Sequence, residues 1–260
     1  MITWTSAAAT DVGGKRKINE DSLLERPELG LWVVADGMGG HAAGDVASNA
    51  IVHPLQSIAR PDALPDFVEA VEDTLLSVNQ QLRDYARDQL GGRTVGSTVV
   101  SLILSQHTGV CLWAGDSRLY RLRNGQLTRL SRDHSAVQEM VEAGAITQAE
   151  ADRHPKSNVI TRAVGGADIL FVDAAVFAPE AGDTYLLCSD GLYNEVSEDS
   201  IRRKLGLDSE EATRKLIDEA LDNGGRDNIS VVIVKVATAS AAAPAAASEA
   251  PAAASEKGAQ

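Results

Sequence analysis

Short apolar segments that run into an aspartate recur along this 260-residue chain. Three such runs end at Asp36, Asp116 and Asp190, and Asp227 stands immediately before a fourth run near the C-terminus. Each run has the length and the aliphatic or β-branched content of a buried strand. Strands of shared sheets would gather these carboxylates at one edge. Gathered carboxylates repel one another unless something neutralises them, so the pattern constrains both the fold and the chemistry.

The predicted strands pair antiparallel. Residues 118–122 and 126–130 flank Asn124 and Gly125, a dipeptide that is typical of a two-residue hairpin turn. Strands joined by hairpins indicate antiparallel pairing and argue against repeated βαβ units. The other predicted strands cover residues 31–35, 98–104, 109–114, 184–188 and 229–236.

Helical periodicity marks three further segments. Residues 41–59 and 210–221 are predicted helices, and the second of these is closed by Asn223 and two glycines. Between them, Asp66 stands as a predicted N-cap, with Glu69 at the spacing of a capping box. The residues after it recur every three or four positions and predict one apolar face, which comprises Phe67, Val71, Leu75, Val78, Leu82 and Tyr85.

The composition divides the chain near residue 237. Residues 237–260 are almost entirely Ala, Pro, Ser and Glu, with no large apolar side chain to bury, which predicts a disordered tail. Residues 1–236 are expected to form one domain. Within it, residues 131–166 alternate short helical pieces with polar stretches, which indicates an inserted flap subdomain.

Charge and composition exclude several functional classes. A formal net charge of −13 repels nucleic-acid phosphates and anionic lipid, so no nucleic-acid partner is expected. No apolar stretch is long enough to insert into a membrane, and the N-terminus lacks the pattern of a signal peptide. Cys111 and Cys188 each lie in an apolar run and are expected to be buried free thiols. A cytoplasmic monomer is therefore the default expectation.

The candidate site has the chemistry of a hard-cation centre. Carboxylate oxygens favour Mg²⁺ or Mn²⁺ over zinc, and no Cys/His set at zinc spacing accompanies them. Two such ions can acidify a water between them and clamp a phosphoryl group for in-line attack. Gly37, directly after Asp36, would let its own carbonyl approach a ligand closely. The glycine-rich stretch 36–41 matches neither a dinucleotide fingerprint nor a P-loop.

Six segments, in order, resemble those of the PPM/PP2C family of metal-dependent serine/threonine protein phosphatases, in its bacterial form. The resemblance covers about residues 4–236, and it is the six segments together that make it specific. The segments are Arg16-Lys17-Ile18-Asn19-Glu20-Asp21, Val34-Ala35-Asp36-Gly37-Met38-Gly39-Gly40-His41, Gly96-Ser97-Thr98, Ala114-Gly115-Asp116-Ser117-Arg118, Ser189-Asp190-Gly191-Leu192 and Gly225-Arg226-Asp227-Asn228.

This resemblance implies both a fold and an activity. The fold is α+β, a central antiparallel β-sandwich flanked by α-helices on both faces in four αββα layers. The activity is hydrolysis of phosphoserine and phosphothreonine on proteins through a hydroxide that bridges two divalent cations, Mn²⁺ or Mg²⁺. The enzyme would oppose bacterial serine/threonine kinases, and its partners would include such a kinase and the kinase's substrates.

The resemblance also assigns metal ligands. Asp36 would bridge the two cations, and the Gly37 carbonyl would bind the second. Asp190 and Asp227 would hold the first. Asp116 matches the position that, with Asp190, holds a third and weaker cation in bacterial members.

Further roles follow for residues around these ligands. Glu20, and with it Asp21, would act through water bound to the cations or orient other ligands. Arg16 would bind the substrate phosphate, since its guanidinium suits bidentate contact with phosphate oxygens. Met38 occupies the position where many eukaryotic relatives carry a histidine, so His41 is the nearest candidate to contact substrate and protonate the leaving oxygen. A water molecule as the acid, with His41 only supporting the loop, stays an equal alternative.

Two other functions are compatible with parts of the pattern. A non-catalytic member would serve as a phosphoprotein-binding regulatory module, but Asp36, Asp190 and Asp227 are all present, which argues against it. A hydrolase for a small phosphorylated metabolite is the second alternative. A shallow charged site suits a protruding phosphorylated side chain better, yet the residues alone leave the metabolite phosphatase open.

Overall fold

The computed structural model describes residues 1–39, 43–151 and 153–239. Its strands, in chain order, are β1 Ile2–Asp11, β2 Asp21–Arg26, β3 Leu31–Met38, β4 Gly96–Ser97, β5 Val99–Leu104, β6 Gly109–Ala114, β7 Arg118–Arg123, β8 Gln126–Arg129, β9 Asp173–Phe177, β10 Thr184–Cys188 and β11 Ile229–Thr238. Its α-helices are α1 Gly44–Gln56, α2 Leu64–Gln89, α3 Ala136–Glu142, α4 Gln148–Ala151, α5 Asp190–Tyr193, α6 Glu198–Lys204 and α7 Ser209–Asp222.

The strands form two antiparallel sheets. One sheet has the order β1-β11-β10-β7-β8, and the other has the order β2-β3-β5-β6-β9, with β4 paired to β3. Every strand pair is antiparallel, including β1 with β11, whose register runs from Ile2 opposite Thr238 to Asp11 opposite Ile229. The predicted antiparallel sandwich is therefore confirmed.

Three apolar layers hold the sandwich together. Between the sheets lies a core of fully buried side chains from both, among them Trp32 of β3 and Tyr185 of β10. Outside one sheet, α1 and α2 cover β3 and β5, and Phe67 and Leu75 of α2 are fully buried there. Outside the other sheet, α6 and α7 pack on β10 and β11 through residues such as Leu216. The layer order is thus αββα.

Two local predictions are confirmed in detail. Asn124 and Gly125 both have positive φ, 51° and 77°, as a tight hairpin turn between β7 and β8 requires. In α2, the predicted apolar face is the face that packs on the sheet, with its first five residues buried and Tyr85 packed against the core.

Other boundaries differ from the prediction. Asp66 is not an N-cap, because α2 begins at Leu64 with Ala63 as the cap and a proline in its first turn. The helix predicted over residues 41–59 is described from Gly44 to Gln56, and strand β11 continues two residues beyond Val236.

β1 and β9 were not predicted. Their alanine-rich sequences lack the alternation of a half-buried strand, and pairing with β11 and β6 determines their conformation.

The segment predicted as a flap contains α3 and α4, and it begins just after the edge strand β8. Residues 240–260, most of the predicted tail, lie outside the described residues. Across the described ranges, no helix is both long and apolar enough to cross a membrane.

Candidate metal centre

The strand ends of both sheets meet at one end of the sandwich. In the first sheet, β2 and β3 place Asp21 directly opposite Asp36 as register partners. The loop before β2 is fixed to β3, because the Gly37 amide donates to the Glu20 carbonyl at 3.0 Å. The Glu20 side chain in turn accepts from the Gly44 amide at 3.2 Å, at the start of α1. Asp36, Gly37 and Glu20 are therefore held side by side.

The second sheet adds carboxylates from two chain segments. Asp190 is the first residue of α5, two residues after the end of β10, and Asp227 stands two residues before β11. The sheets are joined here by Ser189, whose hydroxyl donates to Asp21 Oδ2 at 2.7 Å and accepts from the Ser230 amide at 3.0 Å. Asp21 thus lies between the two sheets, in the centre of the cluster.

Asp116 approaches the cluster from the end of β6. Its backbone carbonyl accepts from the Tyr193 hydroxyl at 3.0 Å, so the α5 segment that carries Asp190 also holds Asp116. The Tyr193 ring lies under the guanidinium of Arg118, 3.5 Å from the ring centroid. Arg118 forms a bidentate ion pair with Asp133 at 2.7 and 3.1 Å.

The carboxylates repel one another strongly. Burial and then the charges of Asp21, Asp190, Asp116 and Asp227 raise the pKa of Asp36 well above its usual range. The pKa of Asp190 is likewise raised well above normal, by burial and by the charge of Asp116. Such a cluster is costly to ionise on its own, and a cation among the carboxylates would reverse that cost.

Asp21 and Asp116 are buried from solvent. Burial raises the pKa of Asp21 to about 6, and burial together with the charge of Asp133 raises the pKa of Asp116 to about 6. In each of these side chains, Oδ1 is buried and has no hydrogen-bond partner among the described residues. Buried acceptors are normally satisfied, so these two oxygens need a partner that the described part of the chain does not supply.

Arg16 brings a positive charge to the cluster. Arg16 donates to Asp227 Oδ2 at 2.7 Å and lies 3.5 Å from Glu20 Oε2. The hydrogen bond to Asp227 raises the pKa of Arg16, so the guanidinium is charged at all relevant pH values. About half of its side chain is exposed, which leaves donors free to reach a ligand from solvent.

Asn228 organises the loop that carries Arg16 and Glu20. Its Nδ2 donates to the carbonyls of Val12 at 2.9 Å and Ile18 at 3.0 Å, and its Oδ1 accepts from the Glu20 amide at 2.8 Å. The Asn228 side chain thus satisfies three backbone groups of this loop.

Gly37 occupies a place where no side chain fits. A Cβ at this position would meet the Gly44 carbonyl well inside contact distance and lie 2.6 Å from the Glu20 carbonyl oxygen. The glycine lets three backbone segments converge next to Asp36, which leaves the Gly37 carbonyl as a further oxygen in the cluster.

The donor set fits hard divalent cations. All candidate ligands are oxygens, and both buried Oδ1 atoms lack partners within the described ranges. Over the same ranges, no three Asp, Glu, His or Cys side chains form a ready-made cage for one ion. Sites for Mg²⁺ retain several waters and use only one or two carboxylates for each ion, so they do not require such a cage.

A polar groove leads away from the carboxylates. It has a volume of about 550 Å³ and lies between the flap and the segment from α5 to α6. Its lining includes Asp116 and Asp190 of the cluster, Gln138 and Asn158 of the flap, and Glu198 of α6. A polypeptide segment bound to the carboxylate site would have room there for neighbouring residues.

The structure thus brings together eight of the residues singled out in the sequence, while His41 lies outside the described residues. The eight are Arg16, Glu20, Asp21, Asp36, Gly37, Asp116, Asp190 and Asp227. Tyr193 and Ser189 were missed as supports. Ser189 adjoins Asp190 in the sequence, but only the tertiary fold places these residues against Asp116 and Asp21.

The chain is similar to known proteins over most of its length. The family model described as "Protein phosphatase 2C" matches residues 15–229. The serine/threonine phosphatase stp of Listeria monocytogenes is 36% identical over 235 residues, which cover 87% of this chain and 93% of that protein.

Solved structures show the same similarity. PppA of Pseudomonas aeruginosa, described as a key regulatory component of T6SS, superposes with a TM-score of 0.83 at 44% identity and covers 90% of this chain and 98% of its own. The catalytic domain of the serine/threonine protein phosphatase PstP, in complex with two manganese ions, has a TM-score of 0.82 at 32% identity over 92% of this chain and all of its own.

Proposed function

The chain belongs to the protein phosphatase 2C family and is a metal-dependent serine/threonine protein phosphatase, and we propose which of its residues carry out the reaction. Four of them hold the two divalent cations on which the enzyme depends. These are Asp36, the Gly37 carbonyl, Asp190 and Asp227.

The observation that carries this assignment is the electrostatic position of Asp36. The residue is half-buried, its carboxylate feels the charges of four other aspartates, and its pKa is raised well above normal. Two cations beside it would neutralise the cluster and stabilise its ionised form. When bound, two such ions acidify a water and balance the charge of a phosphoryl group.

Arg16 is assigned to the substrate phosphate. It is charged, half-exposed and held toward the cluster by Asp227 and Glu20. A guanidinium presents a planar set of donors that matches two phosphate oxygens at once. We expect Arg16 to orient the phosphate so that the departing serine or threonine oxygen points away from the carboxylates.

Asp116 and Glu20 are assigned to the periphery of the centre. The unpartnered Oδ1 of Asp116, with Asp190 beside it, offers oxygens for a third and weaker cation. Glu20 accepts from the Gly44 amide and lies near Arg16, so it is placed to orient the loop and water bound there. Asp21 is more central than expected, since it bonds to Ser189 between the sheets.

The leaving oxygen must receive a proton. His41 and a water molecule are the two candidates, as they were from the sequence. A His41→Ala variant separates them. If His41 is the acid, kcat falls for a phosphopeptide but much less for an aryl phosphate, whose leaving group needs no proton. If water serves, both substrates are hydrolysed at nearly the wild-type rate.

Phosphoproteins are the substrates, and we also propose the partners, the cofactor and the compartment of the enzyme. We expect a bacterial serine/threonine kinase and its targets as partners, Mn²⁺ or Mg²⁺ as cofactor, and a monomer in the cytoplasm. Cys111 and Cys188 support a reducing compartment, because both are buried free thiols.

Steady-state hydrolysis of a phosphothreonine peptide tests the assignment. The purified chain should be active with Mn²⁺ and inactive after chelation. Asp36→Asn should lower kcat by about a thousandfold or more, because it removes a charged group at the reacting centre. Asp62→Asn, at an exposed loop position, is the matched control and should keep full activity. Activity that persists in excess chelator, or wild-type turnover by Asp36→Asn, would refute the assignment.

A further inference from the structure

His134 is buried beside the metal centre and has no role in the assignments above. It lies five residues after the end of β8, at the base of the flap, and only 5% of it is exposed. Its ring stacks on Trp113 of β6, with planes 10° apart and centroids 6.1 Å apart. A buried histidine packed against the strand that delivers Asp116 is in a position to influence that carboxylate.

His134 and Gly115 share two hydrogen bonds. The His134 amide donates to the Gly115 carbonyl at 2.9 Å, and the Gly115 amide donates to His134 Nδ1 at 3.0 Å. Gly115 follows the last residue of β6, so the sheet no longer holds it. Both backbone groups of the residue before Asp116 are therefore satisfied by His134 alone.

Gly115 needs this support because its backbone is unusual. Its φ is +118°, a region that residues with a side chain rarely adopt. A Cβ there would also lie at the side chain of Thr98, so substitution cannot stabilise the turn. The conformation that turns Asp116 toward the cluster consequently depends on hydrogen bonds from outside the turn.

The contact between His134 Nε2 and Asp173 stabilises one tautomer of the ring. Since Nδ1 accepts from Gly115, the ring proton sits on Nε2, which faces Asp173 Oδ2 at 3.2 Å. Arg162 is ion-paired to the same aspartate. The chain of contacts from Arg162 through Asp173 to His134 thus keeps Nδ1 available as an acceptor.

Tyr193 is the other main restraint on Asp116. Its hydroxyl donates to the Asp116 carbonyl at 3.0 Å and also interacts with the carboxylate, while Oδ1 has no partner among the described residues. The direction of the carboxylate therefore depends on Tyr193 and on the backbone conformation at Gly115. Outer groups that orient a ligand in this way typically change metal affinity 10- to 100-fold when they are removed.

We propose that His134 is a positioning residue. Its Nδ1 accepts a hydrogen bond from the Gly115 amide and thereby orients the Asp116 carboxylate toward a divalent cation. This inference rests on the proposed role of Asp116 as a ligand of the weaker cation. His134 touches neither substrate nor cation, and it acts only through the turn that it holds.

Two substitutions separate this role from a purely structural one. In His134→Asn, the side-chain oxygen takes the place of Nδ1 and keeps the contact with Gly115. In His134→Gln, a polar group takes the place of Nε2 and keeps the contact with Asp173, but Gly115 loses its acceptor. Asn is smaller than Gln by one methylene group, so a simple loss of packing volume would weaken His134→Asn more than His134→Gln. The proposal predicts the opposite order, and the comparison therefore isolates which ring nitrogen matters.

Mn²⁺ binding to the full chain, measured by titration calorimetry, is the main readout, with Asp116→Asn as the reference for a lost ligand. We expect His134→Gln to weaken the weakest Mn²⁺ site about tenfold or more, as Asp116→Asn does, and His134→Asn to stay within about threefold of wild type. Equal affinities in the two histidine variants, or weaker binding by His134→Asn, would overturn the proposal.

A measurement on the unmodified protein covers the case in which a variant does not fold. Nitrogen-15 NMR of labelled histidine should show His134 as the neutral Nε2–H tautomer, with Nδ1 as a hydrogen-bond acceptor. A proton on Nδ1 would contradict the proposal. Failure of the wild-type chain to bind Mn²⁺ at all would instead contradict the proposed function, so the two failures are distinguishable.

Discussion

The buried aspartates predict that the metal-free protein loses stability as the pH rises. The pKa of Asp21 is about 6 in the folded state, compared with an ordinary value of 3.8. The folded state therefore binds the proton more tightly than the unfolded state does. Its stabilising contribution is complete below about pH 4 and is lost as the pH rises through 6. Asp116, with a pKa also raised to about 6, has the same sign.

The raised pKa of Asp21 sets the size of the expected change in stability. A rise of about two pKa units corresponds to about 3 kcal/mol in total, of which about 1–2 kcal/mol falls between pH 5 and pH 8. For a domain of this size, 1 kcal/mol changes the melting temperature by about 2–4 °C. Asp21 alone should thus lower the melting temperature by roughly 2–8 °C over this pH range, and Asp116 adds to the decrease.

Thermal unfolding followed by circular dichroism in excess chelator, at several pH values from 5 to 8, measures this slope. Asp21→Asn should flatten it, because the amide does not ionise and can still accept from Ser189. Asp62→Asn removes the same charge at an exposed position and should leave the slope unchanged, which controls for general repulsion in a chain of net charge −13. A melting temperature that is flat or rises with pH, or identical slopes for both variants, would refute the reasoning.

Three further outcomes are expected. Gly37→Ala should lower the free energy of unfolding by about 1–3 kcal/mol, since its Cβ meets the backbone at Glu20 and Gly44, and it should lower kcat at least tenfold. Wild-type values in denaturant titration and in turnover assays would contradict this. Arg16→Lys should raise KM for a phosphopeptide several-fold, because Lys keeps the charge but not the bidentate geometry, and Arg16→Ala should raise it further. An unchanged KM in both variants would show that Arg16 does not bind the substrate phosphate. Saturating Mn²⁺ should raise the melting temperature more at pH 8 than at pH 5, because protons compete for the same carboxylates, and an equal increase at both would argue that the cation binds elsewhere.

Much of the architecture was readable from local signals. The hairpin at Asn124 and Gly125 needs positive φ at both positions, which few other dipeptides adopt, so sequence and structure agree there. The apolar face of α2 follows from its periodicity. Strands that combine dense aliphatic content with a clear end, such as β6 and β10, were predicted with their observed bounds.

The failures have physical causes. β1 contains three consecutive alanines, whose propensity does not favour a strand, and it is extended because β11 supplies ten register partners. At α2, Asp66 offered a capping side chain, but the helix begins at Leu64 with Pro65 in its first turn, where the fixed φ of proline is favourable.

The candidate site was likewise predicted only in part. The aspartates could be singled out from the sequence because each stands at one end of an apolar run. Which of them lies at the centre of the cluster could not be predicted, since that depends on strand register and packing. Asp21 was expected at one remove, yet β2 places it opposite Asp36 and Ser189 joins it to the other sheet. His134 gave no local signal at all, because its contact with Gly115 spans 19 residues and exists only in the folded chain.

Asp36 is proposed to hold two divalent cations at the end of the sandwich. The most direct measurement is the number of Mn²⁺ ions bound per chain, determined by equilibrium dialysis with metal analysis for the wild type and for Asp36→Asn at equal folded concentration. We expect at least two ions per wild-type chain and the loss of at least one of them in the variant. Fewer than two ions in the wild type, or the same number in both proteins, would contradict this role of Asp36.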